Sequence, residues 1–170
     1  MEAKRTVPNA RYGAMVIVVK DGRIEFMSLN ASTLPDDPGG YHKDAGATNL
    51  KLYPETKGKV ATVKEGVYYF NEVLHGRTKY PALQINNSGI VPATRAGLPD
   101  TVADGVHIHR GSIKSDSLVS PTSLSCLTIH PDDYADFGDI VGFAKGGRVN
   151  AGDPKYAIKG RVVIDRSFMK

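Results

Sequence analysis

The chain is punctuated too often to be built of long helices. Asp21-Gly22 separates two β-type runs, Tyr12 to Lys20 (YGAMVIVVK) and Arg23 to Leu29, and the second alternates apolar and polar residues. An Asp-Gly pair tolerates the positive φ of a tight hairpin turn, so these runs predict a β-hairpin. The same grammar recurs. Val60–Val63 and Val67–Phe70 flank Glu65-Gly66, a turn over Gly76–Pro81 precedes a strand at Ala82–Ile85, and Asn86-Asn87-Ser88-Gly89 signals another turn. Eighteen Gly, ten Pro and eight Tyr without a single Trp favour strands and turns over helices.

Later strands are expected at Val106–Arg110, Leu124–Ile129, Ile140–Lys145 and Lys155–Asp165. In the last, Tyr156, Ile158, Val162 and Ile164 share one face. Pro131 with Asp132 and Asp133 behind it makes a good helix start, giving a short helix from Pro131 to Phe137. Two stretches lack periodicity. Asn30 to Lys59, with at most a short strand at Leu50–Leu52, is long for a connection and reads as a functional loop or lid. Gly97 to Asp104 reads as a second loop. The expectation is one mainly β domain over residues 1–170, a sandwich or barrel-like sheet pair with one or two short helices and a loop insertion at 30–59.

Charge and cysteine content narrow the function classes. The net charge is +4, but Lys51, Lys57, Lys59, Lys64, Arg77 and Lys79 are scattered, which argues against a nucleic-acid arm. The longest apolar run, Ala14–Val19, is far too short to span a membrane. One cysteine excludes an internal disulfide. Met1-Glu2-Ala3-Lys4-Arg5 leads to polar residues, so a chain made in the cytoplasm without a signal peptide is expected. Gly39-Gly40 and Gly146-Gly147 are too isolated for a phosphate loop.

The chemistry concentrates in Gly105-Val106-His107-Ile108-His109-Arg110-Gly111 and Ser123-Leu124-Ser125-Cys126-Leu127-Thr128-Ile129. Alternation puts His107 and His109 on one strand face and Arg110 on the other. A lone Cys126 with a histidine beside it is a candidate nucleophile and base. Ser123 and Ser125 are small enough to let a carbonyl approach, and backbone amides near Cys126 could hold an oxyanion. A backbone carbonyl or the Ser123 hydroxyl would orient the base. Lys79, Tyr80 and Arg110 are candidates for binding a carboxylate. The alternatives are a buried, inert Cys126 and a metal half-site at His107 and His109 completed by His75, His130 or Asp132.

These motifs together resemble the L,D-transpeptidase catalytic domain family, cysteine enzymes of the bacterial cell wall on a β-sandwich. The family places a His ahead of Ser/Thr-His-Gly-Cys. Here His109 precedes Ser123-Leu124-Ser125-Cys126 at slightly shorter spacing, with Leu124 where the family has His and Ser125 where it has Gly. A divergent, phage- and effector-like branch is closer. It has an Ile-His-Arg segment, a Ser-Ala-Gly-Cys segment and a Pro-Asp helix ending in Phe, matched by Ile108-His109-Arg110, Ser123–Cys126 and Pro131–Phe137. Its upstream Gly-Lys-Tyr-Pro-Ala-Leu-like segment is matched by Gly76–Leu83.

The resemblance implies a β-sandwich enzyme that needs no cofactor and acts on peptidoglycan stem peptides. Cys126 would be the nucleophile, His109 the base and Ser123 a catalytic neighbour, with Arg110, Ser125, Tyr80 and His107 against the substrate. The acyl-enzyme would pass to water, to a second stem amine or to a free D-amino acid. Lacking a signal peptide, such a chain is expected to be an antibacterial effector acting in a target cell's periplasm or cell wall, with secretion machinery and an immunity protein as partners. The alternatives are a phage-associated lysin, a metal-dependent hydrolase using His107 and His109, and a non-catalytic wall-binding module, which Leu124 and Ser125 favour.

Overall fold

The computed structural model describes residues 13–35, 41–47, 51–76, 79–86, 90–111, 125–143 and 158–167. The first hairpin forms as its sequence predicts. Asp21 (φ 50°) and Gly22 (φ 76°) both take left-handed backbone, folding β1 (Ala14–Lys20) back on β2 (Arg23–Ser32) with Ile17 opposite Met27 and Val18 opposite Phe26. A second hairpin joins β4 (Gly66–His75) to β5 (Tyr80–Ile85), closing with His75 opposite Tyr80.

β4 and β5 belong to a seven-stranded sheet. Its further members are β8 (His107–Arg110), β9 (Leu127–Ile129) and β10 (Ile158–Ile164), and its order is β1-β2-β9-β8-β5-β4-β10. Its strand pairs are antiparallel except β8 and β9, which run parallel with Ile108 opposite Leu127 and His109 opposite Thr128. Parallel neighbours need a crossover connection. Here it comprises residues 112–124, which lie outside those described and include Ser123 and Leu124. A small sheet holds β3 (Thr62–Val63), β6 (Val91–Arg95) and β7 (Leu98–Ala103) in the order β3-β6-β7.

Both sheets feed one apolar core. Leu83, Ile85, Ile108, Leu127 and Ile129 from the large sheet cluster with Val63, Val91, Ala93 and Ala103 from the small one. Tyr134 and Phe137 of α1 (Pro131–Val141) complete it. Each large aliphatic side chain removed from water there contributes about 1.5–3 kcal/mol. The mainly β expectation holds, and among the described residues no helix is long and apolar enough to cross a membrane.

The helix is longer than predicted. His130 caps it, its Nδ1 accepting from the Asp132 amide (3.3 Å), and Pro131, Asp132 and Asp133 fill its first turn as their chemistry favours. Asp133 in turn accepts from the Ser28 hydroxyl and from Asn30 Nδ2 (3.0 Å), fastening the helix to β2. The helix does not stop at Phe137. Ile140 and Val141, expected to open a strand over 140–145, are its last residues, and left-handed Gly142 (φ 77°) ends it. A two-residue apolar run does not distinguish strand from helix, and Gly142 is a usual helix stop.

Three further expectations need correction. The loop expected at 97–104 is mostly strand β7, which pairs with an unpredicted β6. Pro92 and Pro99 hid this hairpin, but the register slips between Ala93 and Arg95, and such irregular stretches tolerate proline. Val60–Val63 and Val67–Phe70 do not pair with each other, since β3 joins the small sheet and β4 the large. Within 30–59, β2 continues to Ser32, and Lys51 and Leu52 form a turn rather than a strand, with Leu50 outside the described residues. A 3-10 turn at Pro54–Thr56 is pinned by the buried Thr56 hydroxyl, which donates to Tyr53 O (2.6 Å) and accepts from the Ala47 amide (3.0 Å).

Candidate functional site

The β8–β9 register sets Cys126, the residue before β9, beside His107, and it sets Thr128 beside His109. Gly105 adopts φ 63° just before β8, a conformation glycine takes without the penalty a side chain would bring. The turn directs two backbone groups at the thiol. The His107 amide donates to Cys126 Sγ (3.4 Å), and Sγ lies 3.8 Å from the Gly105 carbonyl. The amide can support a thiolate, the nucleophilic form, whereas the carbonyl accepts from the protonated thiol. Cys126 is half-buried, and its neighbour Ser125 is too.

The histidines of β8 point to the same sheet face and meet residues from the β4–β5 hairpin. His109 is 5% exposed. Its Nδ1 lies 2.7 Å from the Arg110 carbonyl, and a carbonyl can only accept. The ring proton therefore sits on Nδ1 and leaves Nε2 with its lone pair. Tyr80 reinforces this anchor. Its hydroxyl donates to the same carbonyl (3.2 Å) and lies 3.3 Å from His109 Nδ1. Behind Tyr80, Tyr134 of α1 packs edge-on at 6.2 Å and donates to the Pro81 carbonyl (2.6 Å), tying the helix to this hairpin.

Arg110 departs from its expected direction. Strand alternation predicts the face opposite His109, yet its guanidinium lies 5.1 Å over the Tyr80 ring centroid. β8 ends at Arg110, so strand alternation no longer constrains so long a side chain, and the Tyr80 π face attracts its charge.

His75 also joins the site. Its ring stacks on His109 with centroids 4.0 Å apart and planes 11° apart. Its Nδ1 lies 2.6 Å from His107 Nδ1, so one of the two rings donates there and the other accepts. Sequence reasoning considered His75 only as a third metal ligand. The signal that could have found it is the hairpin register, because any strand pair closing over Gly76–Lys79 sets His75 opposite Tyr80.

Burial governs the electrostatics. It pushes His109 down to about 3, helped by repulsion from His75 and weakly from His107 and opposed by the Arg110 carbonyl bond. Burial likewise lowers His107 to about 4, with His75 again repelling the proton. His75 is lowered by burial. Tyr80 is raised by burial, with Arg110 opposing and Cys126 adding to the rise. All three imidazoles are therefore neutral at pH 7, and burial makes His109 a weaker base than a free imidazole.

The other expected residues separate from this cluster. Ser123 and Leu124 are not described. His130 and Asp132 belong to the helix cap. Among the described residues no group of three or more His, Cys, Asp or Glu is arranged to hold a metal ion. Lys79 is exposed in the hairpin turn. A surface hollow lined by Thr62, Val63, Lys64, Glu65, Thr94 and Arg166 shares no residue with the thiol site. No family model, curated protein or solved structure matches the chain.

Proposed function

We propose that the protein is a cysteine acyltransferase or hydrolase acting on peptidoglycan stem tetrapeptides, with Cys126 as nucleophile and His109 as base. The observation that carries this reading is the locked tautomer of His109. Its Nδ1 proton is held by the Arg110 carbonyl, its Nε2 keeps a lone pair, and the chain's sole thiol directly precedes the adjoining strand β9. A nucleophile, a base and a group orienting the base are the parts that acyl transfer needs. The peptidoglycan substrate rests on the resemblance of Ile108-His109-Arg110 and Ser123–Cys126 to the L,D-transpeptidase pattern.

In the reaction, His109 Nε2 takes the thiol proton as Cys126 Sγ bonds to the carbonyl carbon at the L-centre of the third residue. The C–N bond to the terminal D-Ala breaks, and His109 returns the proton to the leaving amine. The thioester then passes to water, a stem amine or a D-amino acid. The Arg110 guanidinium over Tyr80 is a positive group suited to the D-Ala carboxylate. The widest form of the proposal is a secreted antibacterial effector. It predicts that the chain impairs growth when directed to a bacterial periplasm, and only with Cys126 intact.

The test is mass spectrometry of tetrapeptide muropeptides after incubation with the protein or with Cys126→Ala. D-Ala loss, D-Ala exchange or cross-linking seen only with the thiol is expected. Unchanged muropeptides in both samples contradict an enzyme and favour a wall-binding module. Turnover that survives Cys126→Ala but stops with a chelator favours metal chemistry.

A further inference from the structure

His75 belongs to β4, two strands from β8 with β5 between them, yet its ring reaches both histidines of β8. Stacking on His109 at 4.0 Å fixes the plane of that ring, while the Arg110 carbonyl fixes its rotation through Nδ1. The hydrogen bond at 2.6 Å commits His107 Nδ1 to His75. The His75 and His107 rings meet edge to face, with centroids 4.9 Å apart. Two rings on one strand would otherwise be similar candidates for the base, and both would sample several rotamers.

We propose that His75 is a positioning residue of this site, holding the His109 ring by stacking and occupying His107 Nδ1, so that His109 Nε2 is the base presented to Cys126. This deepens the acyl-transfer reading and rests on it for its catalytic consequence. Among the described residues, the titratable and charged groups around these rings are His75 from β4, Tyr80 from β5, His107 and Arg110 from β8, Cys126 before β9 and Tyr134 from α1. Arg110 adds positive charge near Tyr80, and a second protonated histidine would repel the first. His75 therefore supplies two effects. It covers one face of the His109 ring and so holds its position, and it opposes protonation of both β8 rings, so its help to His109 as a base is positional and outweighs a lowered basicity.

The test combines nitrogen NMR titration of the imidazoles with tetrapeptide kinetics for wild type, His75→Ala and His75→Phe. In the wild type, His109 stays neutral with its proton on Nδ1 through the ordinary histidine range near pH 6.5. In His75→Ala its midpoint rises toward that range, and kcat falls about ten-fold or more with KM little changed, since misplacing a reacting group by an ångström can cost that much. His75→Phe retains the stack but has no nitrogen. His109 then keeps its low midpoint, while His107 loses its fixed tautomer. A folded His75→Ala with unaltered His109 midpoint and kcat overturns the proposal. Should His75→Ala fail to fold, an unaltered His107 tautomer in His75→Phe overturns it alone. If the wild-type protein leaves tetrapeptides untouched, the substrate reading fails, and the titrations still decide the role of His75.

Discussion

Two regions of this molecule draw polar side chains partly out of water, and they use them differently. Near the end of the chain, Arg166 donates to the Val63 carbonyl (2.9 Å), the Thr33 carbonyl (2.8 Å) and the Thr33 hydroxyl (3.2 Å). Its guanidinium stitches the chain just past β10 to the loop after β2 and to β3. At the centre of the large sheet, His75, His107 and His109 bond partly to one another, and His109 keeps a basic nitrogen beyond its anchor. Partial withdrawal of polar groups from water is common to both. What sets the second apart is ring nitrogen capacity that the fold itself does not consume, on a strand whose backbone amide also meets the thiol.

The contrast predicts separable effects. The largest is on turnover: Cys126→Ala lowers kcat by roughly 10⁴-fold or more on tetrapeptides and shifts the urea midpoint little. Next, His109→Gln costs roughly 10²–10⁴-fold, against a smaller loss for His107→Gln, read as kcat/KM on the same substrate. A larger loss for His107→Gln than for His109→Gln would make His107 the base. Arg166→Ala should do the reverse. It removes charged hydrogen bonds contributing about 1.5–3 kcal/mol each, lowering the denaturation midpoint while kcat per folded molecule stays near wild type. A loss of turnover matching that of the cysteine variant would erase the distinction between the regions.

Two smaller effects sharpen it. Tyr80→Phe removes one hydroxyl bond from the Arg110 carbonyl, about 1 kcal/mol, so kcat drops about five-fold. Acid should loosen the histidine region selectively. Its folded-state values lie below the unfolded 6.5, so between about pH 6.5 and 3 the unfolded chain binds more protons. Stability is then complete above pH 6.5 and falls on acidification, by up to about 1.4 kcal/mol per pH unit for each histidine kept neutral. Thermal midpoints from pH 7 to 4.5 read this slope, and His109→Gln should flatten it.

The sequence made some of this plain because local chemistry fixes it. The Asp21-Gly22 hairpin, the Pro131-Asp132-Asp133 helix start and the shared face of His107 and His109 follow from turn, cap and alternation rules. The β6–β7 hairpin was hidden because Pro92 and Pro99 suppress strand character, and only the bulged register shows how they are tolerated. The path of the helix through Ile140 and Val141 depends on where Gly142 falls. At the site, the thiol and the β8 histidines are written in two short segments. That β8 and β9 are parallel neighbours, that His75 crosses a strand to reach them and that Arg110 turns back over Tyr80 are tertiary facts without a local signature.

The proposed acyl transfer stands or falls on a thioester between Cys126 and the stem peptide. The most direct measurement is acid-quenched incubation with tetrapeptide, proteolysis and mass analysis of the peptide carrying Cys126, in wild type and His109→Gln. The account predicts an adduct equal to the tetrapeptide less D-Ala on Cys126 of the wild type, much reduced in the variant. Turnover in the wild type with Cys126 unmodified, and persisting in Cys126→Ala, would contradict it.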